Sequence, residues 1–441
     1  MKILFVIPEY PPYSGGGIST FYKYVLSELL RYGFNIHVLV GSAFTSKQKE
    51  YELEGITVKF LDSNSVTYNL KKFDRYRAIP EFQRHLAAAW TAWEQVNGGQ
   101  EYDLVETTDW GLLFVPWIAS PDGPPTVVQL HASIGQIDFH DPQLDSQLQG
   151  NLVRLLEAAL LSGADELQTY SRTNAEFWQQ LTGRGVTYIP PALHLTPNLL
   201  PNEKSQRGLV VGRIQYWKGP TTLCEALRLL DSKAPAIDWL GRDTVYQDSG
   251  SSMLSYLKQT YSDIWGTKIR PLGTLPPKDT AKLQAQAGFM VVPSIWDVFN
   301  YTCAEGMAQA QTVLCSKGAG ASDLITDGLD GMTFAAGDPE ALAASLEALL
   351  SLSPSQRSQM GQAARHTIET KLAPAQIAQQ RIEAYEKLLQ RGRFPLRPNS
   401  WLLDAVSSGQ LLEQPLAFLN YLPLKEISRY VLQRSLKKIK K

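Results

Sequence analysis

The sequence predicts an α/β protein made of two successive doubly wound units, each a mostly parallel sheet covered by helices. Three observations carry that expectation. Short apolar runs suited to buried strands alternate with stretches whose apolar residues recur at helical spacing. The rhythm lapses once, between Pro190 and Ser205, and then restarts. At 441 residues the chain is also too long for one core, because domains run to roughly 100–200 residues.

The elements follow in order. Lys2 to Ile7 reads as a buried strand, and after a Pro- and Gly-rich turn Phe21, Val25, Leu26 and Leu29 mark one face of a helix that Gly33 ends. Strands are expected at Ile36–Val40, Leu104–Thr107, Thr126–Leu130 and Glu166–Thr169, with a helix over Gln149–Leu161. Pro-Pro and Pro-Asn steps between Pro190 and Ser205 read as an interdomain linker. Beyond it the strands are Leu209–Val211, Ile237–Leu240, Lys268–Leu272, Phe289–Val292, Val313–Cys315 and Met332–Phe334. Helices are expected over Pro220–Leu230, Lys278–Gln286, Glu305–Gln311, Pro339–Leu350 and Pro354–Lys371. The domain division is therefore 1–195, 206–375, and a C-terminal helix and basic tail over 376–441.

Composition narrows the function classes. With 42 Lys+Arg against 43 Asp+Glu, the net charge of -1 argues against nucleic acid as the main partner, which would call for a broadly basic surface. Three cysteines are too few and odd for a disulfide framework and favour a reducing compartment. Met1-Lys2 runs into only five apolar residues before Pro8, shorter than a secretory signal, and no apolar run nears the ~18 residues of a membrane span. A cytoplasmic protein, peripheral on the membrane face at most, is expected. The tail differs from the rest: from Lys425 onward seven Lys or Arg face Glu426 alone, about +6, while Ile427, Tyr430, Val431, Leu436 and Ile439 leave room for an amphipathic helix. It reads either as a solvated basic tail or as an attachment to an anionic membrane surface or acidic partner.

Three motifs carry chemistry. Gly15-Gly16-Gly17 lies between the first strand and the first helix, where amides at a helix start can face an anion or a sugar; the plainer reading is a tight turn. A dinucleotide fingerprint fits poorly, since Thr20 stands at the third glycine and no acid ends the second strand. In the second unit a strand runs into Gly212-Arg213 and then Lys218-Gly219-Pro220, which opens a helix. Two cations beyond a strand's carboxyl end, beside a helix N-terminus, suit a diphosphate better than two solvated surface charges would. Pro293-Ser294 then leads through Asp297 into a helix starting near Tyr301 or Thr302, with Glu305 one turn in. Both acids can border one pocket and accept from sugar or ribose hydroxyls, or they can simply complement the helix start.

These residues resemble the retaining nucleotide-sugar glycosyltransferases of family 4, which have the GT-B architecture of two Rossmann-like domains facing across a cleft. Gly212-Arg213, Lys218-Gly219, Pro293-Ser294, Trp296, Phe299, Tyr301-Thr302-Cys303, Glu305 and Met307 match the donor-domain motifs, as do Gly320 to Gly328, Asp330-Gly331 and Gly337-Asp338-Pro339. The Gly-rich turn, His131 and Gly163-Ala164-Asp165 ahead of Ser171 fit the acceptor domain. The resemblance implies Glu305 on the donor ribose, Arg213 and Lys218 on the leaving diphosphate and Asp297 on the donor sugar. Gly212, Phe299, Asn300, Tyr301 and Thr302 would line the donor site, with the acceptor entering past Gly15, Gly16, Gly17 and His131. It implies no cofactor, no metal and no protein nucleophile: a nucleotide diphosphate sugar is the donor, and a saccharide or glycolipid is the acceptor. His131 is either a base or a group whose backbone or ring holds the donor sugar; taken alone, it would read as a satisfied strand-end histidine. Asp297 stands where a Glu is usual, Asn300 where Gly or Pro is usual, and Pro190-Pro191-Ala192 where many members have Asn-Gly. A binding or scaffolding protein that has lost catalysis, and an epimerase or hydrolase on the same scaffold, are the rival expectations.

Overall fold

A computed structural model describes residues 1–12, 16–42, 48–120, 122–141, 147–195, 205–246, 251–395, 400–407 and 424–439. The first unit runs β1 (Lys2–Ile7), α1 (Gly17–Arg31), β2 (Asn35–Val40), β3 (Tyr51–Leu53), β4 (Ile56–Phe60), α2 (Ser63–Lys72), α3 (Pro80–Gln95), β5 (Leu104–Thr108), α4 (Val115–Ala119), β6 (Thr126–Gln129), α5 (Ile134–His140), α6 (Gln147–Leu161), β7 (Glu166–Thr169), α7 (Arg172–Thr182) and β8 (Thr187–Tyr188). Its sheet has the order β3-β4-β2-β1-β5-β6-β7-β8, parallel except for the β3–β4 hairpin. β1 is central because Ile3 to Ile7 is a continuous apolar run, which only a strand covered on both faces can bury.

The second unit runs β9 (Gly208–Val211), α8 (Pro220–Leu230), β10 (Ile237–Leu240), α9 (Met253–Thr260), β11 (Ile269–Gly273), α10 (Pro277–Gln286), β12 (Phe289–Val292), α11 (Tyr301–Ala308), β13 (Val313–Ser316), β14 (Met332–Phe334), α12 (Pro339–Ser351) and α13 (Pro354–Lys371). Its sheet, β11-β10-β9-β12-β13-β14, is wholly parallel. The strand order of each sheet reverses at one place, between β1 and β5 and between β9 and β12. At such switch points the loops beyond the carboxyl ends diverge and leave a crevice.

Two details differ from the sequence reading. Of the two starts that the sequence offers for one helix, near Tyr301 from the motif and at Glu305 from the apolar spacing, the structure has Tyr301, where Asn300 caps it, and the helix ends at Ala308 rather than Gln311. The β3–β4 hairpin and the short β8 were passed over. Of the expected linker, residues 196–204 lie outside those described.

Among the described residues three C-terminal helices follow: α14 (Pro374–Arg391), α15 (Ser400–Val406) and α16 (Leu424–Ile439). The segment that the sequence reading set apart after residue 375 is, over its described part, built onto the first unit. α14 returns there and inserts Arg381, whose guanidinium donates to Glu106 on β5 at 2.5 Å and to Gln129 on β6 at 3.1 Å. The Tyr385 hydroxyl donates to the same Glu106 carboxylate at 2.5 Å. Phe394 and Arg393 hold Asp165, and the Trp90 indole donates to the Val406 carbonyl at 2.8 Å.

Candidate functional site

The two motif loops of the second unit leave β9 and β12, the strands on either side of its switch point. They are tied to each other. The Ile295 amide donates to the Trp217 carbonyl at 2.8 Å, and Gly219, at φ +73°, packs so closely that an added Cβ would lie 1.8 Å from the Pro293 carbonyl oxygen. Glycine there is a requirement of close approach as well as of backbone angle. Pro220 then opens α8 with its φ already helical.

This packing brings Lys218 onto Asp297 as an ion pair, both side chains about four-fifths buried. Asp297 is fixed on two further sides. Asn300 Nδ2 donates to its carboxylate at 3.1 Å, and the loop after β13 pins its backbone through Asp297 N to Gly318 O at 2.9 Å and Gly320 N to Asp297 O at 3.0 Å. Asn300 has φ +79° and caps α11, its Oδ1 accepting from the Cys303 amide at 3.2 Å and from the Thr302 hydroxyl at 2.6 Å. Thr302 also donates to the Val211 carbonyl at 3.1 Å, closing the ring of contacts back to β9. Glu305 is half-buried one turn into α11, its carboxyl raised by burial, and it accepts from Gln284 at 3.3 Å.

Residues of the first unit face this cluster. A Cβ on Gly17 would come within 3.8 Å of the Tyr301 ring, so the start of α1 lies against the start of α11. Gly16 packs on Glu9, which accepts from the Ser19 amide at 3.1 Å. Burial raises the Glu9 carboxyl, while Ser19 and the Arg213 charge across the cleft oppose that shift. Arg213 itself reaches solvent and lies within the fields of Arg242, Asp297 and Glu9. Glu9 and Arg242 were missed in the sequence. The signal for Glu9 was its position just beyond β1, at the first unit's own switch point. Gly15 lies outside the described residues.

His131 is buried beside β6. Its amide donates to Asp109 Oδ1 at 2.8 Å, its Nδ1 lies 2.9 Å from the Tyr170 hydroxyl, and its Nε2 is buried without a hydrogen-bond partner among the described residues. Burial, reinforced by Arg381, pushes its pKa well below the ordinary value, so the ring is neutral. Burial also moves Asp109 up to about 7. Tyr170 links the histidine to the loop after β12, its ring edge-on to Phe299 at 5.9 Å. The units also meet where Trp296 stacks on His140 at 4.3 Å and where the Arg172 amide donates to Asp323 at 3.0 Å. Thus Gly212, Arg213, Lys218, Asp297, Phe299, Asn300, Tyr301, Thr302 and Glu305 gather at one switch point. Gly16, Gly17 and His131 stand on the facing side.

Comparison with known proteins agrees in both halves of the chain. A model of the glycosyl transferase 4-like domain matches residues 16–192, and one of glycosyl transferases group 1 matches residues 195–367. A D-inositol 3-phosphate glycosyltransferase of Arthrobacter sp. (strain FB24) is 25% identical over 388 residues, covering 81% of this chain and 87% of that protein. Among solved structures, sucrose-phosphate synthase from Thermosynechococcus elongatus superposes with a TM-score of 0.71 at 18% identity, over 89% of this chain and 99% of that one. Anabaena Alr3699/HepE in complex with UDP-glucose gives 0.62 at 16% identity, over 88% and 100%. At these identities the structural likeness is one of fold, and that fold is GT-B.

Proposed function

The chain belongs to the family 4 glycosyltransferases, and from that premise we propose that it moves a hexosyl-type sugar, with retention and without a metal, from a nucleotide diphosphate sugar to a hydroxyl of a saccharide or lipid-linked acceptor. The observation that carries this reading is the Lys218–Asp297 pair at the β9/β12 switch point, with Arg213 beside it. As the bond to the anomeric carbon breaks, one further negative charge develops on the departing diphosphate. Arg213 and Lys218 answer it with fixed cations already oriented by the folded loop, the kind of preorganised electrostatics that lowers a barrier without reorganisation. Asp297, held by Lys218 and Asn300, is left with an acceptor oxygen for a sugar hydroxyl, and Glu305 with one for the ribose. The amides at the start of α11 add a partial positive charge.

Transfer breaks the bond from the anomeric carbon to the diphosphate and forms one to the acceptor oxygen on the same face, the acceptor's proton leaving with the diphosphate. A neutral, buried His131 with a lowered pKa is a poor proton acceptor. Its unpartnered Nε2 suits holding a hydroxyl of the donor sugar instead, the second of the two roles read from the sequence. The UDP-glucose complex of the Anabaena relative supports a nucleotide-sugar donor, and work at the cytoplasmic membrane face would give a lipid-linked acceptor access to the cleft.

The test is kinetic. Arg213→Ala and Lys218→Ala should each lower transfer by roughly 100-fold or more while the far-ultraviolet spectrum stays that of the folded wild type. Donors are first chosen from a nucleotide-sugar panel by thermal shift, since a ligand that binds the native state raises its stability. Turnover measured with and without an acceptor pool separates transfer from hydrolysis or epimerisation. Near-normal transfer by either variant overturns the assignment.

A further inference from the structure

We propose that α16 is an interfacial helix that docks the acceptor-side unit onto an anionic lipid surface. Exposed apolar side chains are ordinary when scattered singly. Here four lie on one 16-residue helix: Leu424, Val431, Leu432 and Leu436 are 47%, 53%, 62% and 51% exposed. At 100° per residue, positions 424, 427, 431, 432 and 436 fall within roughly half of the helix circumference. On that half, interleaved with Lys425, Ser428 and Ser435, the four exposed apolar side chains are not packed into the protein's own core. Ile427, at its edge, is half-buried and packs against the first-unit cluster that contains Phe73, Leu402 and Val406. One margin of the stripe thus fastens the helix to the body, and the remainder faces outward.

Charge identifies the occupant. From Lys425 to the C-terminus there are seven Lys or Arg and one acid, while the whole chain carries -1, so the rest of the protein is net acidic by about 7. An acidic body is repelled by an anionic surface, and the cations of this segment reverse that locally and fix which side approaches. Lys425 and Arg429 are exposed on the helix itself. An acidic protein would satisfy the cations but would leave the apolar arc in water. A lipid headgroup layer over acyl chains satisfies both. No helix among the described residues is long and apolar enough to cross a membrane, so the helix lies in the interface. Its attachment to the first unit sets that unit, which would receive the acceptor, next to the lipid.

The full chain is tested by flotation with vesicles of phosphatidylcholine alone or with roughly a third phosphatidylglycerol. Binding is expected to the anionic vesicles, at least ~10-fold stronger than to the neutral ones, and to weaken as salt is raised. The L432S/L436S double variant, which alters no residue of the cleft, should lose binding by ~10-fold or more with unchanged melting temperature and unchanged transfer to a water-soluble acceptor. Truncation before Lys425 should do at least as much to vesicle binding. Absence of vesicle binding by the wild type overturns the proposal. So does full binding by L432S/L436S that soluble polyglutamate competes away, since the segment would then be a purely electrostatic contact for an acidic partner. Vesicle binding and its competition by polyglutamate do not depend on the donor chemistry, so the failure of one reading leaves the other standing.

Discussion

At the residue scale, Asn300 shows how a departure from a family's usual residue can be paid back by its surroundings. Where Gly or Pro is usual, this chain holds an asparagine at φ +79°, a left-handed conformation that costs most side chains roughly 1–2 kcal/mol and asparagine less. In return its side chain caps α11 and steadies Asp297. Asn300→Ala should therefore lose the cap and incur the backbone cost together, about 2 kcal/mol in a denaturant titration, whereas Asn300→Gly should lose only a few tenths. Equal losses would show that the backbone angle is not the reason. Arg213, Lys218, Asp297 and Glu305 were legible as residues of loops and a helix start beyond strand ends, because Gly212, Gly219-Pro220 and Pro293-Ser294 punctuate the segments that carry them. The pairing of Lys218 with Asp297, 79 residues on, was not, because it depends on Gly219 letting two loops touch, which no local pattern states. Glu9 escaped notice because a single acid in a Pro-rich turn carries no periodicity.

At the element scale, the buried strands were the legible part, since a run such as Phe289–Val292 has one reading once turns bound it. The β3–β4 hairpin was less visible but not hidden: Ile56–Phe60 alternates buried and exposed, and Glu54-Gly55 turns with φ of +53° and +85°. Helix α14 is the opposite case. Its amphipathic spacing is plain, but that it crosses back to the first unit rests on Arg381 meeting Glu106, 275 residues away. Both groups are almost wholly buried, so removing one strands the other charge. Arg381→Met should cost about 3–5 kcal/mol in urea unfolding, and adding Glu106→Leu should recover much of it. A single-variant loss below about 1 kcal/mol would mean that the pair does not hold α14 in place.

At the scale of the whole molecule, one of the contacts by which the two units meet titrates. The Trp296 ring lies nearly parallel to His140, 8° apart, and burial lowers the His140 pKa to about 4. The unfolded histidine titrates near 6.5. The native state thus favours the neutral ring: its contribution to stability is whole above pH 6.5, declines as pH falls, and is gone below about 4. The ring is partly solvated, which screens the effect to on the order of 1 kcal/mol. His140→Phe preserves an aromatic stack on Trp296 without the proton. The unfolding free energy of the wild type should therefore fall relative to that of His140→Phe between pH 6.5 and 4 and run parallel to it above. A difference between the two proteins that does not change with pH would mean that the contact closes the cleft by packing alone.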